Sequence, residues 1–128
     1  MKVVGLIAEY NPYHNGHAYH IRKAKEVTGA DFCIVVMSGN YVQRGTPAVI
    51  SKYERTQMAL EAGADLVLEL PVSFSTSSAE LFAKAAVSLL NHTGVTDSLC
   101  FGSECGDIAP LEQTARIFLD EPPIFREE

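Results

Sequence analysis

The stretch that decides the fold is VVGLIAEYNPYHNGHAYHIRKAKEVTG, residues 3–29. Its first six residues, Val3–Ala8, form the uninterrupted apolar run that is typical of a strand covered on both faces. From residue 16 to residue 28 the spacing of apolar residues becomes helical, and Gly29 follows at the position where a helix C-cap prefers glycine. The stretch therefore predicts one strand, a loop and one helix of a parallel sheet.

The same unit recurs along the rest of the chain. Further strands are predicted at residues 32–37, 66–70 and 98–101, and further helices at residues 51–62, 77–91 and 108–119, the last stopped by Pro122 and Pro123. This alternation predicts an α/β fold, a doubly wound parallel sheet with helices on both faces, in one domain over residues 1–128. Ligands of such sheets bind beyond the carboxyl ends of the strands, at the loops 9–16, 38–50, 71–76 and 102–107.

Composition excludes several classes of protein. The chain has 128 residues, 47% hydrophobic and 20% charged, as ordinary globular proteins do. Ten Lys and Arg residues and 16 Asp and Glu residues give a net charge of −6. This charge excludes a protein that coats nucleic acid through bulk positive charge, but it is compatible with a local basic patch. No apolar run could span a membrane, and the N-terminus does not resemble a signal peptide, so we expect a cytoplasmic location.

The three cysteines do not form a disulfide framework. Their number is odd, and the spacing of Cys100 and Cys105 does not match a CxxC redox or zinc motif. We therefore interpret Cys33, Cys100 and Cys105 as thiols in or near the core.

The first loop is rich in histidine. Three of the four histidines, His14, His17 and His20, follow the first strand within seven residues. The N-terminus of a helix attracts phosphate, imidazoles add hydrogen-bond donors, and Gly16 lets a phosphate approach the backbone. Two other interpretations remain open. The three imidazoles could hold a zinc ion, or they could simply cap the helix.

Three blocks of sequence carry a resemblance to a known family. The run His14-Asn15-Gly16-His17 resembles the His-x-Gly-His signature of the nucleotidyltransferase superfamily. Together with SGNYVQRGTPA at residues 38–48 and FGSE at residues 101–104, the run at residues 5–17 resembles the tRNA(Met) cytidine acetate ligase family. The resemblance implies a Rossmann-like nucleotidyltransferase fold with ATP over the end of the first strand.

The resemblance also implies a reaction and a set of site residues. Members of the family activate acetate with ATP, form acetyl-adenylate, and acetylate N4 of the wobble cytidine of elongator tRNA(Met). His14 and His17 would be the catalytic residues that contact the phosphates, with Mg²⁺ held mainly by the ATP oxygens. Gly102 would lie against the nucleoside. The ATP-binding segment would comprise Ile7, Ala8, Glu9, Tyr10, Asn11, Pro12, Tyr13, His14, Asn15, Gly16, His17, Ala18, Tyr19 and His20.

Other polar residues allow two interpretations each. Arg44 suits a carboxylate such as acetate, or a phosphate, but could be a solvated loop residue. Tyr41 could stack on a base or fill a gap. Glu104 could hold a ribose hydroxyl or cap the following helix.

Two further polar positions lie within predicted elements. Lys52 and Arg55 are interpreted mainly as the polar face of a helix whose apolar face holds Met58, Ala59 and Ala62, with a substrate or tRNA contact of Arg55 as the alternative. Glu69 lies in an apolar run, so its carboxylate must be paired or reach solvent.

The family members are longer than this chain. A late phosphate-binding arginine motif and the C-terminal region that would grip tRNA are absent from residues 1–128, so we expect a truncated N-terminal part that is not fully active alone. Two alternatives share the histidine motif or the fold. One is a small-molecule adenylyl- or cytidylyltransferase, and the other is a non-catalytic ATP-binding module.

Overall fold

The computed structural model describes residues 1–120. Four strands are present, β1 (Val3–Ala8), β2 (Phe32–Ser38), β3 (Leu66–Leu70) and β4 (Ser98–Leu99). Five α-helices accompany them: α1 (Asn15–Thr28), α2 (Lys52–Glu61), α3 (Val72–Ser75), α4 (Ala79–His92) and α5 (Ile108–Asp120). Gln43–Gly45 form a short 3₁₀ turn between β2 and α2.

All pairings within the sheet are parallel, in the order β3-β2-β1-β4. The chain builds outward from β1 to β2 and β3 on one side, and then crosses to place β4 on the other side. The predicted doubly wound parallel sheet is therefore confirmed. The change of direction falls beside β1, and in such sheets it opens a crevice at the carboxyl ends of the strands.

Helices cover both faces of the sheet. On one face, Leu6 and Val35 pack with Ile21 and Ala24 of α1 and Ala59 of α2. On the other face, β-strand residues pack against α4; this cluster contains Val3, Ile34, Val36, Leu70, Phe82, Ala86 and Leu90. Burial on both faces explains why β1 and β2 are almost wholly apolar.

The structure differs from the prediction in a few elements. β4 ends at Leu99 because it pairs with β1 only through Ser98 and Leu99, and the chain is irregular from Cys100 to Asp107. The short helix α3 was not predicted; its N-cap is Pro71, whose carbonyl accepts the Phe74 and Ser75 N–H groups.

The burial of the cysteines was predicted only in part. Cys33 is buried and Cys100 half-buried, but Cys105 is exposed, because the irregular segment that carries it lies on the surface. Pro122 and Pro123 lie outside the described residues. Among residues 1–120, no helix has both the length and the apolar character needed to cross a bilayer.

Candidate functional site

The loop after β1 ends in a helix cap built from two histidines. Nδ1 of His14, the N-cap of α1, accepts the Gly16 N–H at 3.1 Å. Nδ1 of His17 accepts the His14 N–H, also at 3.1 Å. The two side chains thereby form a reciprocal capping box, a role usually played by Ser or Thr with Glu.

This cap fixes the tautomer of both rings. A backbone N–H can only donate, so each Nδ1 must be an unprotonated acceptor. A neutral imidazole that accepts at Nδ1 carries its hydrogen on Nε2. Both histidines therefore keep an Nε2–H donor that the cap does not use. His14 and His17 therefore cap the helix, whereas His20 lies within α1 and does not, and the cap leaves a donor on each of the two capping rings.

The two rings belong to a packed aromatic cluster. His14 and His17 stack with their centroids 3.8 Å apart, and the buried Tyr10 ring meets His17 edge-on at 4.8 Å. Tyr13 lies beside both Tyr10 and His17. A Cβ on Gly16 would lie 2.9 Å from Cε1 of His14, so glycine makes room for this ring.

The cluster borders a cavity of about 520 Å³ at the carboxyl end of β1. Most of the predicted ATP-binding segment lines it: Ile7, Ala8, Glu9, Tyr10, Asn11, Pro12, His14, His17 and His20. The remaining segment residues, Tyr13, Asn15, Gly16, Ala18 and Tyr19, support the cap or belong to α1 and do not line this cavity.

Burial changes the proton affinity of several groups that line the cavity. Burial lowers the pKa of His17, and the neighbouring His14 and His20 lower it further. Burial also lowers the pKa of His20, whose buried Nε2 has no hydrogen-bond partner. Burial raises the pKa of Glu9, against the effect of the Gln43 backbone and Arg55. The lowered pKa values of His17 and His20 favour their neutral forms near neutral pH.

The lowered pKa of His20 predicts a pH-dependent stability. Unfolded His20 titrates at its ordinary pKa of about 6.5, above its folded pKa, so the unfolded state takes up the proton first as pH falls. His20 thus costs no stability above about pH 6.5 and destabilises the fold below it. We expect His20→Gln to reduce the fall in Tm between about pH 7.5 and about pH 5.5. The control is His92→Gln at the exposed end of α4; equal pH dependence in wild type and His20→Gln would contradict the prediction.

Arg55 is fully buried, and its guanidinium joins the ends of β1 and β2. Nη1 donates to the carbonyls of Glu9 at 2.7 Å and Ser38 at 2.9 Å, Nη2 donates to the Gly39 carbonyl, and Nε donates to the Ile50 carbonyl at 2.9 Å. The prediction that Arg55 lies on a polar helix face, or contacts a substrate, was wrong. Its charge is instead satisfied by four backbone acceptors, which is how a buried guanidinium is tolerated.

The prediction for Glu69 is confirmed. Its carboxylate, at the end of β3, pairs with Lys52 of α2, and Lys52 Nζ lies 2.8 Å from Oε2 and 3.0 Å from Oε1. Both side chains are partly exposed, so the Glu69 carboxylate also faces solvent.

The structure does not bring every predicted site residue to the cavity. Arg44 is exposed in the 3₁₀ turn with a φ of 67°, and Tyr41 lies elsewhere, beside β3 and α3. Gly102 follows β4, the neighbour of β1, but does not line the cavity. Glu104 is exposed, and the cap of α5 is instead Asp107, whose Oδ1 accepts the Ala109 N–H at 3.0 Å.

The described residues do not provide a set of zinc ligands. Within residues 1–120, no group of three or more His, Cys, Asp or Glu side chains could hold a metal ion. Two of the three imidazoles, His14 and His17, already use Nδ1 as the acceptor of the helix cap. Their rings are stacked on each other.

Comparisons with known proteins identify the family of the chain. The family model for HIGH Nucleotidyl Transferase matches residues 1–128. A tRNA(Met) cytidine acetate ligase of Acetivibrio thermocellus is 56% identical over 126 residues, covering 98% of this chain and 30% of the relative. Its counterpart in Clostridium perfringens (strain SM101) is 58% identical, covering 99% and 32%. The chain thus spans about a third of the length of these relatives.

A solved structure is similar throughout the chain. The crystal structure of Thermotoga maritima TmcAL bound with alpha-thio ATP superposes with a TM-score of 0.90 at 50% sequence identity. The match covers 99% of this chain and 31% of the other chain.

Proposed function

This chain belongs to the HIGH nucleotidyl transferase family, and from that premise we propose that it forms the ATP-binding part of a tRNA(Met) cytidine acetate ligase. The whole enzyme would join acetate to ATP, releasing pyrophosphate and forming acetyl-adenylate. It would then transfer the acetyl group to N4 of the wobble cytidine of elongator tRNA(Met). A tRNA substrate would place this reaction in the cytoplasm. The proposal is supported by relatives that are named tRNA(Met) cytidine acetate ligase, and by a similar structure that holds an ATP analogue.

The observation that carries the proposal is the histidine cap at the end of β1. It combines the N-terminus of α1 with two imidazoles whose Nε2–H groups are not used by the fold. The helix N-terminus and these donors suit the phosphates of ATP. The cavity of about 520 Å³ beside them falls within the usual range for small-molecule sites. We propose that His14 and His17 contact the phosphates there and that residues 7–20 hold the nucleotide.

The chemistry needs positioning and charge stabilisation more than covalent help. Acetate oxygen attacks the α-phosphorus, and pyrophosphate leaves with the electrons of the broken P–O bond. Donors already aimed at the phosphates lower the cost of the charge that develops. Acetate is a poor acyl donor, whereas its mixed anhydride with AMP has a good leaving group.

Mg²⁺ fits this site only as a partner of the nucleotide. Glu9 is the carboxylate that lines the cavity, and burial disfavours its charged form. A lone carboxylate of this kind suits an ion that keeps most of its ligands as water and phosphate oxygens. When bound, the ion would neutralise phosphate charge, and the chain would contribute the Nε2–H donors of His14 and His17.

The remaining predicted residues have subsidiary roles in the proposal. Gly102, which follows the neighbour of β1, would approach the nucleoside, since it presents no side chain. Arg44 would meet acetate or phosphate from the exposed turn between Val42 and Thr46. Glu104 would be available to the ribose, because Asp107 already caps α5.

The test uses the full-length protein with ATP, labelled acetate and tRNA. We expect ATP–pyrophosphate exchange that depends on acetate, and label in tRNA only when all components are present. Label transfer that requires acetyl-CoA would contradict the proposal. Nucleotidyl transfer to a small phosphate acceptor would favour a small-molecule transferase, and ATP binding without exchange would favour a non-catalytic module.

A further inference from the structure

A second, smaller cavity lies at the same edge of the sheet, where β2 and β3 end. Its volume is about 220 Å³, below the usual range of about 300–1,000 Å³ for small-molecule sites. Its walls come from the segment after β2, the end of β3 and helix α3: Gly39, Asn40, Tyr41, Glu69, Leu70, Val72 and Ser75. None of these residues lines the larger cavity.

Arg55 shows that the two cavities are neighbours. Its guanidinium donates to the carbonyl of Glu9, which lines the larger cavity, and to the carbonyl of Gly39, which lines the smaller one. Arg55 therefore holds one wall residue of each cavity in place at the ends of the neighbouring strands β1 and β2.

The groups that line the smaller cavity suit a planar ring with an exocyclic amine. Glu69 offers carboxylate oxygens, and its side chain is about half exposed (51%) despite the ion pair with Lys52. Asn40 Oδ1 already accepts the Lys52 N–H at 3.2 Å, so its free amide hydrogens are donors. The half-exposed ring of Tyr41 provides a surface for stacking, and Ser75 anchors that residue by donating to the Tyr41 carbonyl at 2.9 Å.

We propose that this cavity receives the cytosine ring that is to be acetylated. Glu69 accepts a hydrogen bond from the N4 amine, Asn40 donates to a ring acceptor, and Tyr41 stacks on the base. Carboxylates accept from cytosine N4 in other nucleic-acid complexes, and stacking on aromatic rings is the usual way to hold an unpaired base. This inference rests on the proposed function, and it assigns the base-recognition residues that the function leaves open.

Acetate fits the smaller cavity less well. Glu69 is the charged residue that lines the cavity, and Lys52, which pairs with it, does not. Carboxylate oxygens only accept hydrogen bonds, so they suit an amine that donates better than acetate, which also only accepts. Uracil is also disfavoured, because its O4 acceptor would face the oxygens of Glu69. The cavity therefore predicts a preference for cytosine over uracil at the modified position.

The experiment measures this preference with full-length protein and two anticodon stem-loops that differ only by C or U at the wobble position. We expect wild type to bind the C form at least fivefold more tightly. Glu69→Gln should abolish this preference or reverse it, because an amide can also donate to uracil O4. Lys52→Met is the matched control, since it breaks the same ion pair but keeps the carboxylate, and it should retain the preference for C.

A second pair of variants tests the stacking surface. Tyr41→Leu should weaken binding of both stem-loops about tenfold, consistent with the usual contribution of one stacked base. Tyr53→Leu, a change at an exposed tyrosine of α2, should leave binding within twofold. Equal binding by wild type and Tyr41→Leu would overturn the stacking role.

Acetate-dependent ATP–pyrophosphate exchange separates the two proposals. Exchange requires no tRNA, so its absence in wild type would defeat the proposed function. Normal exchange combined with an unchanged preference for C in Glu69→Gln would overturn the base subsite alone. A raised KM for acetate in Glu69→Gln, with base preference intact, would instead assign the cavity to acetate and also overturn the inference.

Discussion

Arg55→Met is expected to destabilise the fold by about 3–5 kcal/mol, because several buried carbonyls lose their hydrogen-bond donor at once. Methionine has a similar length and no donors, so the carbonyls of Glu9, Ser38, Gly39 and Ile50 would lose the hydrogen bonds from the guanidinium. Each buried carbonyl left unpaired costs about 1–3 kcal/mol, less where water can replace the donor. The measurement is urea unfolding followed by circular dichroism, because the chain contains no tryptophan.

Arg22→Met is the matched control, since it makes the same change at an exposed position of α1. It should change the free energy of unfolding by about 0.5 kcal/mol or less. Arg55→Lys should give an intermediate loss, because an ammonium cannot reach carbonyls arranged around a planar fork. An Arg55→Met variant as stable as Arg22→Met would show that the guanidinium network contributes no stability.

His17→Asn is expected to weaken ATP binding by about 1–3 kcal/mol, or about 5- to 150-fold. The asparagine Oδ1 can replace Nδ1 as the acceptor of the His14 N–H, so the helix cap survives. The outward Nε2–H donor has no counterpart in asparagine. In His17→Gln the roles are reversed. The longer glutamine keeps a donor near the Nε2 position but loses the geometry of the cap.

Two measurements separate the roles of His17. Both variants lose the ring contacts of His17, but only His17→Asn keeps the cap, so we expect it to be the more stable of the two and to bind ATP weakly, as measured by calorimetry. His17→Gln should bind ATP better than His17→Asn and unfold more readily. If both variants bound ATP as wild type does, the phosphate role of His17 would be wrong.

Local patterns predicted the fold because here they agree with the tertiary structure. The apolar run Val3–Ala8 became the strand buried on both faces, and Ser51 and Ser78 cap α2 and α4 through the N–H groups of Glu54 and Leu81. β4 was predicted too long because the length of an apolar run does not show how many of its residues pair with a neighbouring strand. Helix α3 was missed because four residues carry too little periodicity to be recognised.

The position of Arg55 was mispredicted because polarity was given more weight than spacing. Arg55 precedes Ala59 by four residues, so both lie on the same face of α2, and both are fully buried. That spacing was the available signal. Sequence could not show the four carbonyls that receive the guanidinium, since they come from three segments that meet only in the fold. The histidines were predicted near phosphate, but the reciprocal cap that sets their tautomers depends on distances that only the structure gives.

The buried guanidinium has a further consequence for how the site responds to ionic strength. Mobile ions gather around exposed charges and screen them over about 8 Å at physiological salt, but they cannot surround a charge beneath the surface. The attraction of exposed Arg44 for an anion should therefore fade as salt is added. The field of Arg55 at the ends of β1 and β2 should weaken less with added salt, because buried charges are screened less than exposed ones.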